Sequence, residues 1–186
     1  MTIRYPFAIM AALALAGCSA TDPEADARTG VVLAKPNHPE ARVFGTTVDT
    51  SAEAKVEAAF ERAQESGKRV MLVMGANWCH DSRAFAGWLM TDRFRDALAD
   101  KYHVVFVNIG MPQTGDTHNL AIAQRYGIAK LAGTPTVIVV TPDGVPVNPN
   151  TATSWRNSAS RSEDAILREL LALADIEPAV DTNAES

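Results

Sequence analysis

The stretch that decides the reading of this chain is Val70-Met71-Leu72-Val73-Met74-Gly75-Ala76-Asn77-Trp78-Cys79-His80-Asp81-Ser82. Five consecutive apolar residues, Val70 to Met74, have the pattern of a strand buried on both faces. Beyond Ser82, Phe85, Trp88 and Leu89 recur at helical spacing. Cys79 therefore stands where a buried strand gives way to a helix. The thiolate is the reactive form of cysteine, and the unpaired N–H groups and positive dipole end of a helix N-terminus stabilise that anion. The fourth position of what would be a Cys-x-x-Cys pair is Ser82.

Working outward, helices and strands alternate from about Arg42. Thr50 with Glu53 reads as a capping box, Val56, Ala59, Phe60 and Ala63 share a helical face, and Gly67 suits the stop. After the cysteine helix the pattern breaks near Thr91-Asp92, and a second short helix carries Phe94 and Leu98. His103 to Ile109 reads as a strand covered on both faces. The turn-rich loop Gly110 to Thr117 leads to a helix from about His118 to Tyr126, closed by Gly127. Val137 to Val140 is a further strand, and Pro142-Asp143-Gly144 turns the chain into a short last strand around Val145 to Val147. The final helix is expected from near Ser160, capped with Glu163, burying Ile166, Leu167, Leu170, Leu171 and Ala174. Trp155, in the polar stretch Asn148 to Ser160, is expected either at a partner contact or covering the edge of the last strand.

At the other end, Arg4 followed by the apolar run Pro6 to Ala16 has the form of a secretory signal, and eleven residues are too few for a membrane-spanning helix. Leu15-Ala16-Gly17-Cys18 resembles the lipobox of bacterial lipoproteins. That resemblance implies a signal peptide at 1–17, cleaved before an acylated Cys18 that holds the chain to the lipid bilayer. Ser19, where an aspartate would signal inner-membrane retention, implies the outer membrane and a periplasm-facing place in the cell envelope. The alternative is an ordinary secretory signal with an incidental cysteine, which leaves a Cys18–Cys79 disulfide open. Residues 18–41 are polar and punctuated by Pro36 and Pro39, and read as a flexible tether; 42–175 is the domain and 176–186 a disordered tail. About 23 such residues span roughly 25–30 Å.

The net charge of −5 and a sequence pI of about 5.3, with no cluster of Lys and Arg, exclude a broad nucleic-acid footprint. With Cys18 acylated, Cys79 is the only free thiol. His38 falls in the tether, while His103 and His118 stand alone, so no metal and no cofactor are expected.

The order of elements, with Ala76-Asn77-Trp78-Cys79 after the first central strand and Gly133-Thr134-Pro135-Thr136-Val137 opening a later one, resembles the thioredoxin superfamily over about residues 42–175. The resemblance implies an α/β fold, a three-layer α/β/α sandwich around a central mixed sheet. It also implies that Pro135 is the cis-proline beside the active cysteine, and that the Thr134 backbone pairs with a bound partner as an added strand. In the dithiol enzymes of that family a second cysteine resolves the mixed disulfide, and a buried carboxylate six residues before the first cysteine helps move the proton. Here those positions are Ser82 and Val73. A serine hydroxyl cannot displace a thiol from sulfur, so release must come from outside.

The functional expectation is monothiol disulfide exchange, isomerase-like or deglutathionylating, with protein thiols, disulfides or glutathione as partners. Cys79 is the expected nucleophile, Ser82 a hydrogen-bond donor to it and His80 a tuner of its charge, with Trp78, Thr134 and Pro135 forming the substrate groove. The alternative is a non-catalytic binding or envelope-assembly module that keeps the groove and not the chemistry.

Overall fold

The computed structural model describes residues 38–45 and 51–178. The expected signal peptide, the acylated Cys18, most of the tether and Thr50 of the capping box lie outside the described residues. In chain order the elements are α1 (Ala52–Ser66), β1 (Arg69–Gly75), α2 (His80–Leu89), α3 (Asp92–Leu98), β2 (Tyr102–Asn108), β3 (Gly110–Met111), β4 (Asp116–Thr117), α4 (Leu120–Gln124), β5 (Thr136–Val140) and α5 (Glu163–Asp175). No helix among the described residues is long and apolar enough to cross a membrane.

The apolar run makes β1 the centre of a three-stranded mixed sheet of order β2-β1-β5. β1 pairs parallel with β2, Leu72 opposite Val105, and antiparallel with β5, Leu72 opposite Ile138. Successive side chains of a strand point to opposite faces, so β1 feeds two cores. Val70, Leu72 and Met74 pack with Val56, Ala59 and Ala63 of α1 and with Ile122 and Ala123 of α4. Met71 and Val73 pack with Phe85 of α2, Phe94 of α3 and Ile166 and Leu170 of α5. This is the expected α/β sandwich, with helices on both faces of the sheet.

The first three helices end close to where the sequence indicates. Gly67 closes α1 in the left-handed region at φ 71°, its N–H donating to Ala63 O. α2 ends at Leu89, Thr91 is the residue before α3, and Phe94 and Leu98 are buried.

Four expectations need correction. β2 is an edge strand, and Val104 on it is 37% exposed. α4 is shorter than the expected His118 to Tyr126, because Asn119 takes a left-handed conformation (φ 55°) and the His118 N–H donates to Ile109 O, ending the small β3–β4 hairpin. The strand around Val145 to Val147 reduces to an isolated bridge between Val140 and Pro146, since Pro146 has no N–H for a ladder. The outer edge of β5 is instead completed by Asn148, whose Oδ1 accepts from Val139 N–H (2.8 Å) and whose Nδ2 donates to Val137 O (2.9 Å). Finally, α5 is capped by Ser162 rather than Ser160, its Oγ accepting from Ala165 N–H, and Leu173 rather than Leu171 completes the buried stripe.

Trp155 takes neither of its expected places. It is fully buried in a 3-10 segment, Ser154–Ser160, with its ring 5.1 Å from Phe85 of α2 in a T-shaped contact and the Arg161 guanidinium over its face.

Residues 38–45, the first four of them in the stretch expected as tether, lie along the domain as a strap. The Ala41 N–H donates to Arg83 O at 3.0 Å. Asn77 holds the strap from the other end, accepting from Phe44 N–H at Oδ1 and donating to Gly45 O through Nδ2.

Candidate functional site

β1 delivers the chain to the turn Ala76–Trp78, where the Cys79 N–H donates to Ala76 O at 3.1 Å. Cys79 is then the N-cap of α2, extended at φ −80° and ψ 123°, and its carbonyl accepts the first helical bond from Arg83 N–H. A half-buried free thiol thus sits at the end of the central strand and the mouth of a helix, as the sequence predicts.

From the opposite side, the loop before β5 approaches with a cis peptide bond between Thr134 and Pro135. The Thr136 hydroxyl holds this loop by donating to Gly133 O at 2.9 Å. Cys79 Sγ lies 3.3 Å from the Thr134 carbonyl oxygen and donates to it. A cysteine 55 positions away in sequence is thereby brought against the Thr134 main chain.

Trp78 is 40% exposed, and its Nε1 donates to Gly110 O at 2.7 Å. The ring forms one wall of a cleft of about 300 Å³ whose other walls include Pro112, Leu131 and Thr134. Trp78 and Thr134 share this cleft, and Cys79 meets Thr134 beside the cis bond to Pro135. The cleft is mainly apolar.

Ser82 departs from expectation. It is fully buried, and its Oγ has no hydrogen-bond partner, so it does not donate to the sulfur in this arrangement. Its neighbour is Gly75, where a Cβ would come within 2.9 Å of the Ser82 oxygen and 2.6 Å of Phe44. Beneath the site Val73 is fully buried and apolar, leaving no carboxylate at that position to move a proton.

His80, the first residue of α2, faces the strap. Its Nε2 lies 3.2 Å from Glu40 Oε1, and its ring stands edge-on to His38 with centroids 4.7 Å apart. Glu40 also accepts from Arg83 Nε through Oε2 at 2.9 Å. Arg83 holds the Glu40 carboxyl below its ordinary range, chiefly by that hydrogen bond, with its charge and those of His80 and His38 adding to the effect against slight desolvation. The same guanidinium donates through Nη1 to the carbonyls of Asn77 and Trp78, bracing the turn that presents Cys79.

Sequence reasoning missed Glu40 and Arg83 as parts of this site, and the main-chain contact that Asp81 makes. Asp81 accepts from Ala159 N–H at 2.8 Å and pins the Trp155 segment to the start of α2. The available signal was Arg83 four residues after Cys79, one helical turn on and therefore on the same side of α2. Glu40 gave none, because it lies in a segment without periodicity.

Known proteins share this architecture. A family model described as thioredoxin-like matches residues 51–142. A solved structure of a disulphide isomerase from Xylella fastidiosa Temecula1 superposes with a TM-score of 0.64 at 26% sequence identity, covering 73% of this chain and 100% of that one. Comparison with curated proteins gives no match.

Proposed function

Given that this chain belongs to the thioredoxin superfamily, we propose that it performs thiol–disulfide exchange with Cys79 as its single nucleophile. The observation that carries this reading is the 3.3 Å contact between Cys79 Sγ and the carbonyl of Thr134, a residue that also lines the apolar cleft. A partner disulfide lying along Thr134 has its sulfur delivered to the mouth of α2. There the helix N-terminus stabilises developing negative charge on the departing or attacking thiolate.

The cycle balances with one protein thiol. The Cys79 thiolate attacks one sulfur of a partner disulfide, a Cys79–partner disulfide forms, and the other partner sulfur leaves as thiolate. A second thiolate, from the same partner or from glutathione, then attacks the partner sulfur in this adduct. Cys79 is released as thiolate and a new disulfide forms. No net oxidation occurs when both thiols belong to one substrate, which is isomerisation. With a glutathionylated partner, Cys79 takes up the glutathionyl group, and free glutathione releases it as glutathione disulfide. Ser82 cannot perform either release, and the apolar Val73 offers no proton relay, which supports the monothiol reading.

The Leu15-Ala16-Gly17-Cys18 stretch supports an acylated N-terminus that would hold the domain within tens of ångströms of an envelope membrane, facing the periplasm. The substrates would then be envelope proteins with non-native or mixed disulfides. Affinity capture from acid-quenched cells tests the reading. Partners should be released by reductant from the native protein and be missing from a Cys79→Ser variant, whereas equal recovery from both proteins would favour a non-catalytic binding module.

A further inference from the structure

The strap and the start of α2 bring together two imidazoles and a carboxylate. We propose that His38, Glu40 and His80 form a binding site for one divalent transition-metal cation of the zinc class. Each residue offers one ligand atom, and the three atoms lie within 4.8 Å of one another. Two imidazoles and one carboxylate suit zinc, and three protein ligands with an open position are a common zinc arrangement.

The geometry is close to that of a loaded site. With metal–ligand bonds of about 2.0–2.1 Å, tetrahedral ligands stand roughly 3.3 Å apart. His80 Nε2 and Glu40 Oε1 are already 3.2 Å apart. That nitrogen is buried from solvent and yet makes no aligned hydrogen bond, so its proximity to the carboxylate is that of two groups converging on a third. His38 has only to swing inward. Its Nδ1 lies 3.3 Å from Pro39 O, and a proton held there leaves the Nε2 lone pair free for a cation.

The backbone preorganises the three residues. At Gly87 a Cβ would meet Pro39 O at 2.2 Å and Glu40 N at 2.7 Å, so the strap lies directly on α2 where only glycine admits it. The Ala41–Arg83 main-chain bond fixes the next residue. Arg83 holds Glu40 Oε2 and turns Oε1 toward His80, a supporting contact of the kind that orients metal-binding carboxylates. Its positive charge opposes the incoming cation and weakens the site relative to one without it.

The test is zinc binding to the full chain in detergent, measured by competition with a chromophoric chelator. The expected result is one equivalent bound, affinity lowered at least tenfold by each of His38→Ala, Glu40→Gln and His80→Ala, and no loss in Cys79→Ser or in His118→Ala. Absence of binding, an unaffected His38→Ala protein, or loss of binding in Cys79→Ser overturns the proposal. A second readout needs no variant. Cobalt added to the wild-type chain should give d–d bands without a thiolate-to-metal charge-transfer band, and a strong sulfur band would place the metal on Cys79 instead.

Discussion

Cys79 Sγ and the Thr134 carbonyl oxygen are 3.3 Å apart, with the thiol donating to the carbonyl. One partner belongs to the mouth of α2 and the other to the loop before β5, and β1 and β5 pair directly in the sheet. The thiol and the Thr134 carbonyl are therefore set by neighbouring strands of one sheet.

Ser82 lies one helical turn from this contact without joining it. Its buried hydroxyl is unpartnered, and an unsatisfied buried hydroxyl costs about 1–3 kcal/mol. Ser82→Ala is expected to raise stability by about 1 kcal/mol in urea unfolding and to leave the rate of mixed-disulfide formation at Cys79 unchanged. A slower reaction would assign Ser82 a direct role at the sulfur.

Gly87 is the point at which the strap touches α2. Because the clash of an added Cβ would be with the backbone of Pro39 and Glu40, side-chain rotation cannot relieve it. Gly87→Ala should cost about 1–3 kcal/mol and speed hydrogen exchange at the Ala41 amide, which is bonded to Arg83 O.

Trp155 anchors the segment that Asp81 pins to α2. Its complete burial against Phe85 predicts a loss of about 3–5 kcal/mol for Trp155→Ala, read as a lowered urea midpoint. A loss below 1 kcal/mol would mean that the ring is not a core residue.

Acid should loosen the strap through Glu40. Its folded-state carboxyl titrates below the ordinary 4.5, chiefly through the Arg83 hydrogen bond, so its contribution is present above the unfolded-state value and is lost as pH falls through the lower folded value. Glu40 is 40% exposed, which limits the effect to the fraction of a kcal/mol typical of surface pairs. Glu40→Gln is expected to flatten the stability curve below about pH 4.5 relative to wild type, and parallel curves would refute the contribution.

What could be read in advance follows from where the information resides. The run Val70 to Met74, the Trp78-Cys79 junction and the Thr134-Pro135 loop carry local signals, and the structure brings all three together. Trp155 was illegible because its neighbours are polar, and its burial depends on a 3-10 segment folding under α2. The shortening of α4 turns on one left-handed Asn119, which no periodicity announces. The cluster of His38, Glu40 and His80 joins residues some forty positions apart, and the strap that carries two of them is tied down by Asn77, Arg83 and the bare Gly87. The hydrogen bond expected from Ser82 failed for a geometric reason, since a position within a motif does not fix which way a hydroxyl points.

The central claim is that Cys79 is a working nucleophile. The direct measurement is the mass of the protein after mild incubation with oxidised glutathione. One glutathionyl adduct on Cys79, removed by added glutathione and absent in Cys79→Ser, is the predicted result. An unmodified wild-type protein under the same conditions would contradict the account.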